Sequence, residues 1–467
     1  MSNPTPTDTG PAAGANRRHP LGEPLPLRVA FAGHTVTGGL AAAVDAVPLP
    51  GRSRGGGPAP VGALEGVHAL VVDRADSGSD EAALRGLAER ARAAGVPVVG
   101  VRRNGERPAW DGLADIETGL PGSSPELTAA AAVDIRHFNP TLFAHAGVAG
   151  FIGAIGPGAS VAQLSDAYPM LAEATRFDPV FLRGDLERTR LRLPEGVVAA
   201  GDIAEDTDEE LLAMLHKRLG VLDHPSFHAS EFERAGWIAK LCAAGVPVAA
   251  AEISDSLAEL LGAELAGLLE GVRARDLADL DLRERTSVAL RRAALRAHSS
   301  EARWRQIAAA AGIELPGRPL VSVILATRRE SWLEHGIAQV ARQNYEPREL
   351  VVCLHGDEFA AGTTERVRSL YPGALQVIRV DSELTLGDAL NAGVEAANGE
   401  LVTKMDDDDY YSTEHLWDLV LALEYSGADL VGKAAEFVYL EEIDVTVRQI
   451  SQDVDTRMAG GGMMARK

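Results

Sequence analysis

Short apolar runs separated by helix-like stretches limit the fold of this chain more than any other feature. LRVAFAG, HALVVDRA and VPVVGVRR are three such runs, and the segment between the last two has helical spacing and ends at Gly95. A strand, helix, strand order is typical of a βαβ unit, and therefore of a parallel sheet. The same alternation recurs in the middle and near the end of the 467 residues. The sequence therefore predicts an α/β protein with several parallel-sheet blocks.

Composition shifts along the chain predict its division into parts. A tail rich in Pro, Gly and Thr covers residues 1–27 and is expected to be disordered. Two Rossmann-like α/β blocks follow at 28–180 and 181–315, and the second ends in a long helical segment. The PGRP sequence at 316–319 is a predicted linker, because prolines and glycine interrupt regular structure. A third α/β block covers 320–467 and opens with the apolar strand LVSVILATRR.

Charge and cysteine content exclude several classes of protein. Asp and Glu number 67 against 45 Lys and Arg, for a formal net charge of -22, whereas nucleic acids and anionic membranes attract concentrated Lys and Arg. Only Cys242 and Cys353 are present, too few for a disulfide framework or a multi-cysteine metal site. The N-terminal residues contain no apolar core typical of an export signal, and no stretch is long and apolar enough to predict a transmembrane helix. These features predict a cytoplasmic, soluble protein that does not bind nucleic acid.

The sequence MDDDDYY, Met405–Tyr411, is the most informative segment for chemistry. Four consecutive carboxylates at the end of an apolar strand repel one another, and a bound cation would relieve that repulsion. Mg2+ and Mn2+ take oxygen ligands, commonly one or two carboxylates together with substrate phosphates. The carboxyl edge of a parallel sheet is also where α/β proteins bind ligands. From these residues alone, a solvated acidic turn or helix N-terminus is an equally good interpretation.

The third block resembles the family 2 glycosyltransferases, an inverting group with the GT-A fold, from about Leu320 to the C-terminus. The segments VSVILATRR, QNYEPRELVV, LGDALNAGVEAANGELV and DDDDYY carry the resemblance. In that family a helical Asn precedes an Ala-x-Gly-Glu segment, a strand and an Asp-x-Asp-Asp run. Asn391, Ala397–Glu400 and Asp406–Asp409 occupy those places in the same order. Such an ordered set is more specific than an isolated Asp-x-Asp.

The resemblance implies a metal-assisted donor site. Asp408 would ligate a Mg2+ or Mn2+ ion that bridges the two phosphates of a nucleotide-sugar donor, and Asp406 would hold the donor or support the metal. Ala326 and Thr327 would line the nucleotide pocket, and Asn391 belongs to the same set of substrate-binding positions. Lys404, which ends the strand before the acidic run, is expected to be a surface residue, although it could also neutralise the diphosphate.

Two departures from the family pattern affect the expected site. Many members end strand two in Asp-Asp-Gly-Ser, with an Asp on the uracil base, whereas this chain has Leu354–Asp357, or Leu-His-Gly-Asp. His355 or Asp357 would then contact the base, although a lone histidine near a strand end is more often structural, and the donor need not carry uracil. The family's catalytic base is an acidic residue beyond a Gly-rich strand that GGGMMARK matches, and the sequence ends there. The domain is therefore expected to be incomplete at its C-terminus, and the catalytic residue is unassigned.

The first 315 residues resemble, more loosely, the CgeB-like branch of the GT-B glycosyltransferases. DIRHFNP, FERAGWIAKLCAAGVPVAA and RRAALRAHSSEARWRQI carry this resemblance. It implies that Glu231 or Glu233, at the start of a helix, could contact a donor ribose. The paired glutamates of retaining members are absent from the sequence, so this region is predicted to be non-catalytic and to hold an acceptor or dock the third block.

Three functions are consistent with these features. The first is an inverting glycosyltransferase that moves a sugar from a nucleotide-diphosphate sugar to a glycan, lipid-linked or small-molecule acceptor. The second is a binding or scaffold protein that holds a nucleotide sugar without turnover, as the missing base region suggests. The third, a nucleotidyltransferase, is disfavoured because ATRRESW after the first strand contains arginines but no glycine.

Overall fold

The computed structural model divides the described part of the chain into two compact units, Pro24–Leu315 and Pro316–Lys467. The predicted tail lies outside the described residues except for its last three positions, as does most of the DIRHFNP segment. The described residues are 25–32, 44–49, 64–72, 78–102, 112–119, 132–134, 138, 149–156, 161–184, 192–200, 208–433, 437–448 and 462–467.

The first unit begins with a five-stranded sheet in the order β2-β1-β3-β4-β5. Every neighbouring pair is parallel, which confirms the prediction of an α/β block. The central strands β1 and β3 are almost wholly buried because helices cover both faces of such sheets. The strands are β1 (Leu25–Ala32), β2 (Val44–Leu49), β3 (Ala69–Val72), β4 (Val98–Arg102) and β5 (Ile116–Gly119).

A second parallel sheet has the order β10-β9-β6-β7-β8. Its strands are β6 (Phe151–Ala154), β7 (Val180–Arg183), β8 (Val197–Ala199), β9 (Gly220–Asp223) and β10 (Val248–Ala250). The sheet therefore includes β6, which the sequence analysis assigned to the first block at 28–180. Four residues, FIGA, beside further glycines are too short and too glycine-rich to indicate a strand.

Nine helices are described in this unit: α1 (Gly78–Ala93), α2 (Tyr168–Ala174), α3 (Asp208–Leu215), α4 (Glu231–Ala243), α5 (Asp255–Leu261), α6 (Ala263–Glu270), α7 (Ala274–Ala278), α8 (Leu280–His298) and α9 (Ser300–Ala310). The predicted long helical segment is thus five helices. The last of them packs on the first sheet, since Trp304 and Ile307 share a core cluster with Val29 and Val71. None of the helices in the described residues of either unit is long and apolar enough to cross a membrane.

The C-terminal unit contains a six-stranded sheet in the order β13-β12-β11-β14-β18-β15. The first four strands are parallel, and β18 runs antiparallel to both of its neighbours. A separate hairpin pairs β16 with β17. The strands are β11 (Val321–Thr327), β12 (Arg348–His355), β13 (Ala374–Val380), β14 (Leu401–Lys404), β15 (Leu430–Gly432), β16 (Phe437–Leu440), β17 (Val445–Arg448) and β18 (Met463–Arg466).

Close helix-to-sheet packing explains one glycine of the predicted motif helix. The helices of this unit are α10 (Leu333–Ala341), α11 (Thr363–Leu370), α12 (Leu386–Ala396) and α13 (His415–Ser426). A Cβ added at Gly393 of α12 would lie 2.6 Å from Ile324 and 2.9 Å from Cys353. The missing side chain therefore lets α12 approach β11 and β12.

The Ala397–Glu400 segment has a structural role at the amino edge of the sheet. A Cβ at Gly399 would lie 2.5 Å from the carbonyl oxygen of Leu320, and the amide of Gly399 donates to Ser322. The carboxylate of Glu400 accepts from the amide of Leu320 at 2.8 Å. These contacts fix β11 beside β14 at the edge where both strands begin, and β11 extends three residues beyond β14 at the opposite edge.

Candidate functional site

The carboxyl ends of β11, β12 and β14 meet at one edge of the C-terminal sheet. Thr327 ends β11 and pairs in register with Leu354 of β12, while Ile324 pairs with Lys404, the last residue of β14. Because parallel neighbours end on the same side, the acidic run after β14 lies beside the residues that follow β11. This edge is the candidate site.

Asp407 is the buried member of the acidic run. It is 5% exposed, and the hydroxyl of Thr327 and the guanidinium of Arg329 both donate to its carboxylate. Arg329 Nε lies 3.2 Å from Asp407 Oδ2, so the guanidinium contacts both carboxylate oxygens. A buried carboxylate needs such partners to remain charged. Thr327, predicted to line a nucleotide pocket, therefore directs its hydroxyl to Asp407.

Asp408 and Asp406 are paired less completely. Arg329 Nη2 reaches Asp408 Oδ2 at 2.8 Å, but the Asp408 side chain is 44% exposed and that of Arg329 is 47% exposed. Lys404 Nζ contacts Asp406 at 2.6 Å. Two cations therefore face the four carboxylates of Asp406–Asp409, which leaves an excess of negative charge at the edge.

The pKa values of two groups at this edge are shifted. Hydrogen bonds to Asp407 and then to Asp408 raise the pKa of Arg329 above its ordinary value. Loss of solvation is the largest cause that raises the pKa of Asp409, and the charges of Asp406 and Asp408 add to it. The added part is what neighbouring carboxylates are expected to produce.

Tyr411 fixes the turn that carries the acidic run. Its buried hydroxyl accepts a hydrogen bond from the amide of Asp406 at 2.8 Å, and its own amide donates to Gln339 Oε1 at 3.1 Å. His335 Nε2 contacts the carbonyl oxygen of Asp409 at 3.0 Å. Both Gln339 and His335 belong to α10, so this helix and Tyr411 hold the acids in position.

His355 is buried behind an arginine. It is 2% exposed, and Arg328 Nη2 lies 2.8 Å from His355 Nε2. The same guanidinium donates to the carbonyl oxygens of Ser382 and Leu384, at 2.9 and 3.1 Å. At the end of β12, therefore, the exposed group is the arginine and the histidine lies beneath it.

Among the described contacts, no hydrogen bond or ion pair joins the remaining predicted site residues to the acidic run. Asp357 is exposed and accepts a hydrogen bond from Ser382 Oγ at 2.9 Å. Ala326 is half-buried on β11, opposite Cys353. Asn391 is exposed in the second turn of α12.

Sequence reasoning missed the two arginines that organise the site. Arg328 and Arg329 directly follow β11. The one sequence feature that could have indicated their role is the presence of two consecutive cations at the end of a strand that shares a sheet with four carboxylates.

Within the described residues, no group of three or more His, Cys, Asp and Glu side chains is arranged to hold a metal ion. The predicted metal ligands Asp408 and Asp406 are instead paired with Arg329 and Lys404.

Comparison with known proteins identifies the type of domain. Residues 322–449 match the model of glycosyl transferase family 2, which confirms the predicted family 2 domain in the C-terminal third. A protein of Bacillus subtilis named uncharacterized glycosyltransferase YwdF is 29% identical over 134 residues, which cover 28% of this chain and 48% of that protein. The chain therefore spans about half the length of this curated relative.

Three solved structures show weak likeness. A mannosyltransferase of Pyrobaculum calidifontis in complex with GDP-Man and Mn2+ is 20% identical over 32% of this chain and 45% of its own, with a TM-score of 0.26. S. aureus TarS 1-349 with UDP-GlcNAc is 24% identical over 24% and 34%, with a TM-score of 0.21. Acinetobacter baumannii MurG is 13% identical over 57% and 95%, with a TM-score of 0.32. Scores this low support no argument about this chain.

Proposed function

We propose that the family 2 domain of this chain binds a nucleotide-diphosphate sugar and transfers the sugar, with inversion, to a glycan, lipid-linked or small-molecule hydroxyl in the cytoplasm. The observation that carries the proposal is the position of Asp406–Asp409 inside the matched region, directly after β14 and against the end of β11. Ligands of parallel α/β sheets bind at this edge.

The donor set at the edge fits a hard divalent cation. Mg2+ and Mn2+ are bound in proteins by one or two carboxylates together with substrate phosphates. Asp408 is half-exposed and Asp406 partly so, and the acidic run carries more negative charge than Arg329 and Lys404 neutralise. We assign Asp408 and Asp406 as the protein ligands. When bound, the cation would neutralise charge that develops on the leaving nucleoside diphosphate.

The residues of this chain then have separate tasks. Asp407 is held by Thr327 and Arg329, and this buried group fixes the backbone that presents Asp406 and Asp408. Lys404 places a positive charge beside the donor diphosphate. Fixed charges of this kind act strongly because they need no reorganisation during the reaction.

The nucleoside is proposed to lie toward the ends of β11 and β12. Ala326 would border it, and the exposed Asp357 would contact the base. His355 would act indirectly, because it lies beneath Arg328 and orients that guanidinium. Asn391 is assigned to the substrate as part of the family motif, and no described residue is assigned as the base that deprotonates the acceptor.

Release of nucleoside diphosphate from UDP-, GDP- and dTDP-sugars tests transfer. The full chain would be incubated with Mn2+, each donor, and water or simple glycosides as acceptors, and the anomeric configuration of the product would be followed by proton NMR. We expect release that Asp408→Asn abolishes, and a β product from an α-linked donor. An α product would exclude inversion, and binding without release would favour the non-catalytic alternative.

Asp429→Asn is the matched control for this experiment. Asp429 is exposed and directly precedes β15. Leu430, the first residue of β15, and Val402, the second residue of β14, both pair with Ala465 of β18, so the two strands begin at the same edge of the sheet. Asp429 therefore lies at the edge opposite the candidate site, and we expect its replacement to leave turnover unchanged. Equal losses in both variants would contradict a specific role for Asp408.

A further inference from the structure

Arg329 occupies the position where a cation at Asp408 would act. Its Nη2 contacts both the buried carboxylate of Asp407 and the half-exposed carboxylate of Asp408, the latter at 2.8 Å, and its Nε lies 3.2 Å from the other oxygen of Asp407. The two contacts differ in accessibility, since the Asp407 side chain is 7% exposed and that of Asp408 is 44% exposed.

The contact with Asp407 is the more permanent of the two. Arg329 reaches both oxygens of Asp407, and the Thr327 hydroxyl completes the group. Breaking such a buried pair leaves an uncompensated charge, whereas an ion pair in solvent exchanges easily. Arg329 can therefore release Asp408 while it keeps Asp407.

A divalent cation on Asp408 would face the positive charge of Arg329 at short range. Like charges within a few ångströms repel, and the repulsion grows where solvent is partly excluded. A nucleoside diphosphate reverses the sign of this effect, because its oxygens accept hydrogen bonds from a guanidinium and ligate the cation together. The same arginine would then oppose the cation alone and favour the cation with its nucleotide.

We infer that Arg329 is a positioning residue that couples cation binding to nucleotide binding at the acidic run: it competes with the cation for Asp408 until a diphosphate oxygen replaces Asp408 as an acceptor for its Nη2. This inference rests on the proposed function and adds how binding of the cation and binding of the nucleotide depend on each other. Coupling of this kind is reciprocal, so the cation also tightens nucleotide binding by the same factor.

Electron paramagnetic resonance of free Mn2+ during titration of the full chain tests the inference without measuring activity. The variant is the double substitution Arg329→Gln with Asp407→Asn, which removes one charge of each sign and leaves no buried carboxylate unpaired. For the native chain we expect weak binding of Mn2+ alone and at least tenfold tighter binding with UDP or GDP. In the double variant, Mn2+ alone should bind about tenfold more tightly, and the nucleotide should add little.

Two further variants separate the possible causes. Asp407→Asn alone retains the arginine and should keep native-like coupling, and Arg368→Gln removes an exposed arginine elsewhere in the unit. Unchanged Mn2+ affinity in the double variant, with nucleotide still tightening binding, would overturn the inference and leave the proposed function standing. Failure of the native chain to bind either Mn2+ or nucleotide would overturn both.

Discussion

Two aspartate–arginine pairs lie at the carboxyl ends of parallel strands in this chain, and solvent reaches them very differently. At the end of β9, the side chain of Asp223 is 0% exposed, and that of its partner Arg234 in α4 is 1% exposed. After β14, Asp407 is nearly buried, but its partner Arg329 is 47% exposed. The same type of ion pair is thus buried in the first unit and half-exposed in the C-terminal unit.

In the first unit, every guanidinium nitrogen of Arg234 has a hydrogen-bond partner. Arg234 Nε contacts Asp223 at 2.8 Å, its Nη1 donates to the carbonyl oxygen of Glu252 at 3.0 Å, and its Nη2 donates to that of Ala251. His228 Nε2 contacts the other oxygen of Asp223 at 2.7 Å. Burial raises the pKa of Asp223, but the contacts with His228 and Arg234 outweigh it and hold the pKa below its ordinary value.

The difference in solvent exposure indicates that the Arg234 network is structural, whereas a ligand can replace a contact of Arg329. Each of the three guanidinium nitrogens of Arg234 has a protein oxygen as its partner, so Arg234 joins the end of β9 to the loop after β10, and a ligand would have to break that network. Arg329 retains an exposed arm next to an exposed carboxylate, so a ligand can replace one contact at small cost. The half-exposed pair of Asp407 and Arg329 is therefore the better candidate for a ligand-binding site.

Removing each arginine should give the largest contrast between the regions. We expect Arg234→Met to lower the free energy of unfolding by about 3–5 kcal/mol, because Asp223 would remain buried without its main partner. The matched variant Arg329→Met should cost less, about 1–3 kcal/mol, because Asp407 keeps the Thr327 hydroxyl as a partner and solvent reaches the arginine side of the pair. Urea denaturation of the full chain, followed by circular dichroism, measures both. Equal costs would contradict the comparison.

A buried histidine should make the first unit sensitive to acid. Burial lowers the pKa of His298 to about 4, while its Nε2 contacts the carbonyl oxygen of Leu261 at 2.8 Å. Below pH 6.5 the unfolded chain binds a proton that the folded chain does not accept until about pH 4, so stability falls as pH falls through this window. One such group contributes about 1 kcal/mol per pH unit.

His298→Gln should flatten this dependence. The glutamine amide can still donate to the carbonyl of Leu261 but does not titrate, so the free energy of unfolding between pH 6.5 and 4 should change less than in the native chain. Urea denaturation at several pH values measures the slope. An unchanged slope in the variant would show that other groups cause the acid sensitivity.

The smallest effect is expected at the turn of the acidic run. Tyr411→Phe leaves the amide of Asp406 without its hydroxyl partner, which should cost about 1 kcal/mol of stability. Because that amide positions Asp406, Mn2+-dependent nucleotide binding should also weaken a few-fold. Tyr410→Phe is the control, because Tyr410 is 79% exposed and should change neither stability nor binding.

The fold was predictable where apolar runs are long. The buried strands β11 and β12 follow from VSVILAT and RELVVCLH, and the α/β alternation indicated parallel sheets in all three blocks. β6 was not predicted, because FIGA gains its strand structure from neighbours in the sheet rather than from its own four residues. The packing of α9 on the first sheet was also missed, since the contact of Trp304 with Phe31 joins distant parts of the sequence.

The candidate site was predictable in its location but not in its electrostatics. Repulsion among the four carboxylates predicted a cation, and the family resemblance singled out Asp408 and Asp406 as its ligands. Only the fold shows that Asp407 is buried and that Arg329, 78 positions earlier, pairs with it. Which charge of a cluster is neutralised internally depends on such contacts across the sheet, and no local pattern encodes them.

Calorimetric titration of UDP, GDP and dTDP, each with and without Mn2+, tests the central claim most directly. The full chain would be compared with Asp408→Asn and with the control Asp429→Asn. We predict Mn2+-dependent binding of at least one nucleotide to the native chain and the control, and its loss in Asp408→Asn. Equal binding by all three proteins, or none by any, would show that the acidic run is a solvated turn and contradict a donor site at this edge.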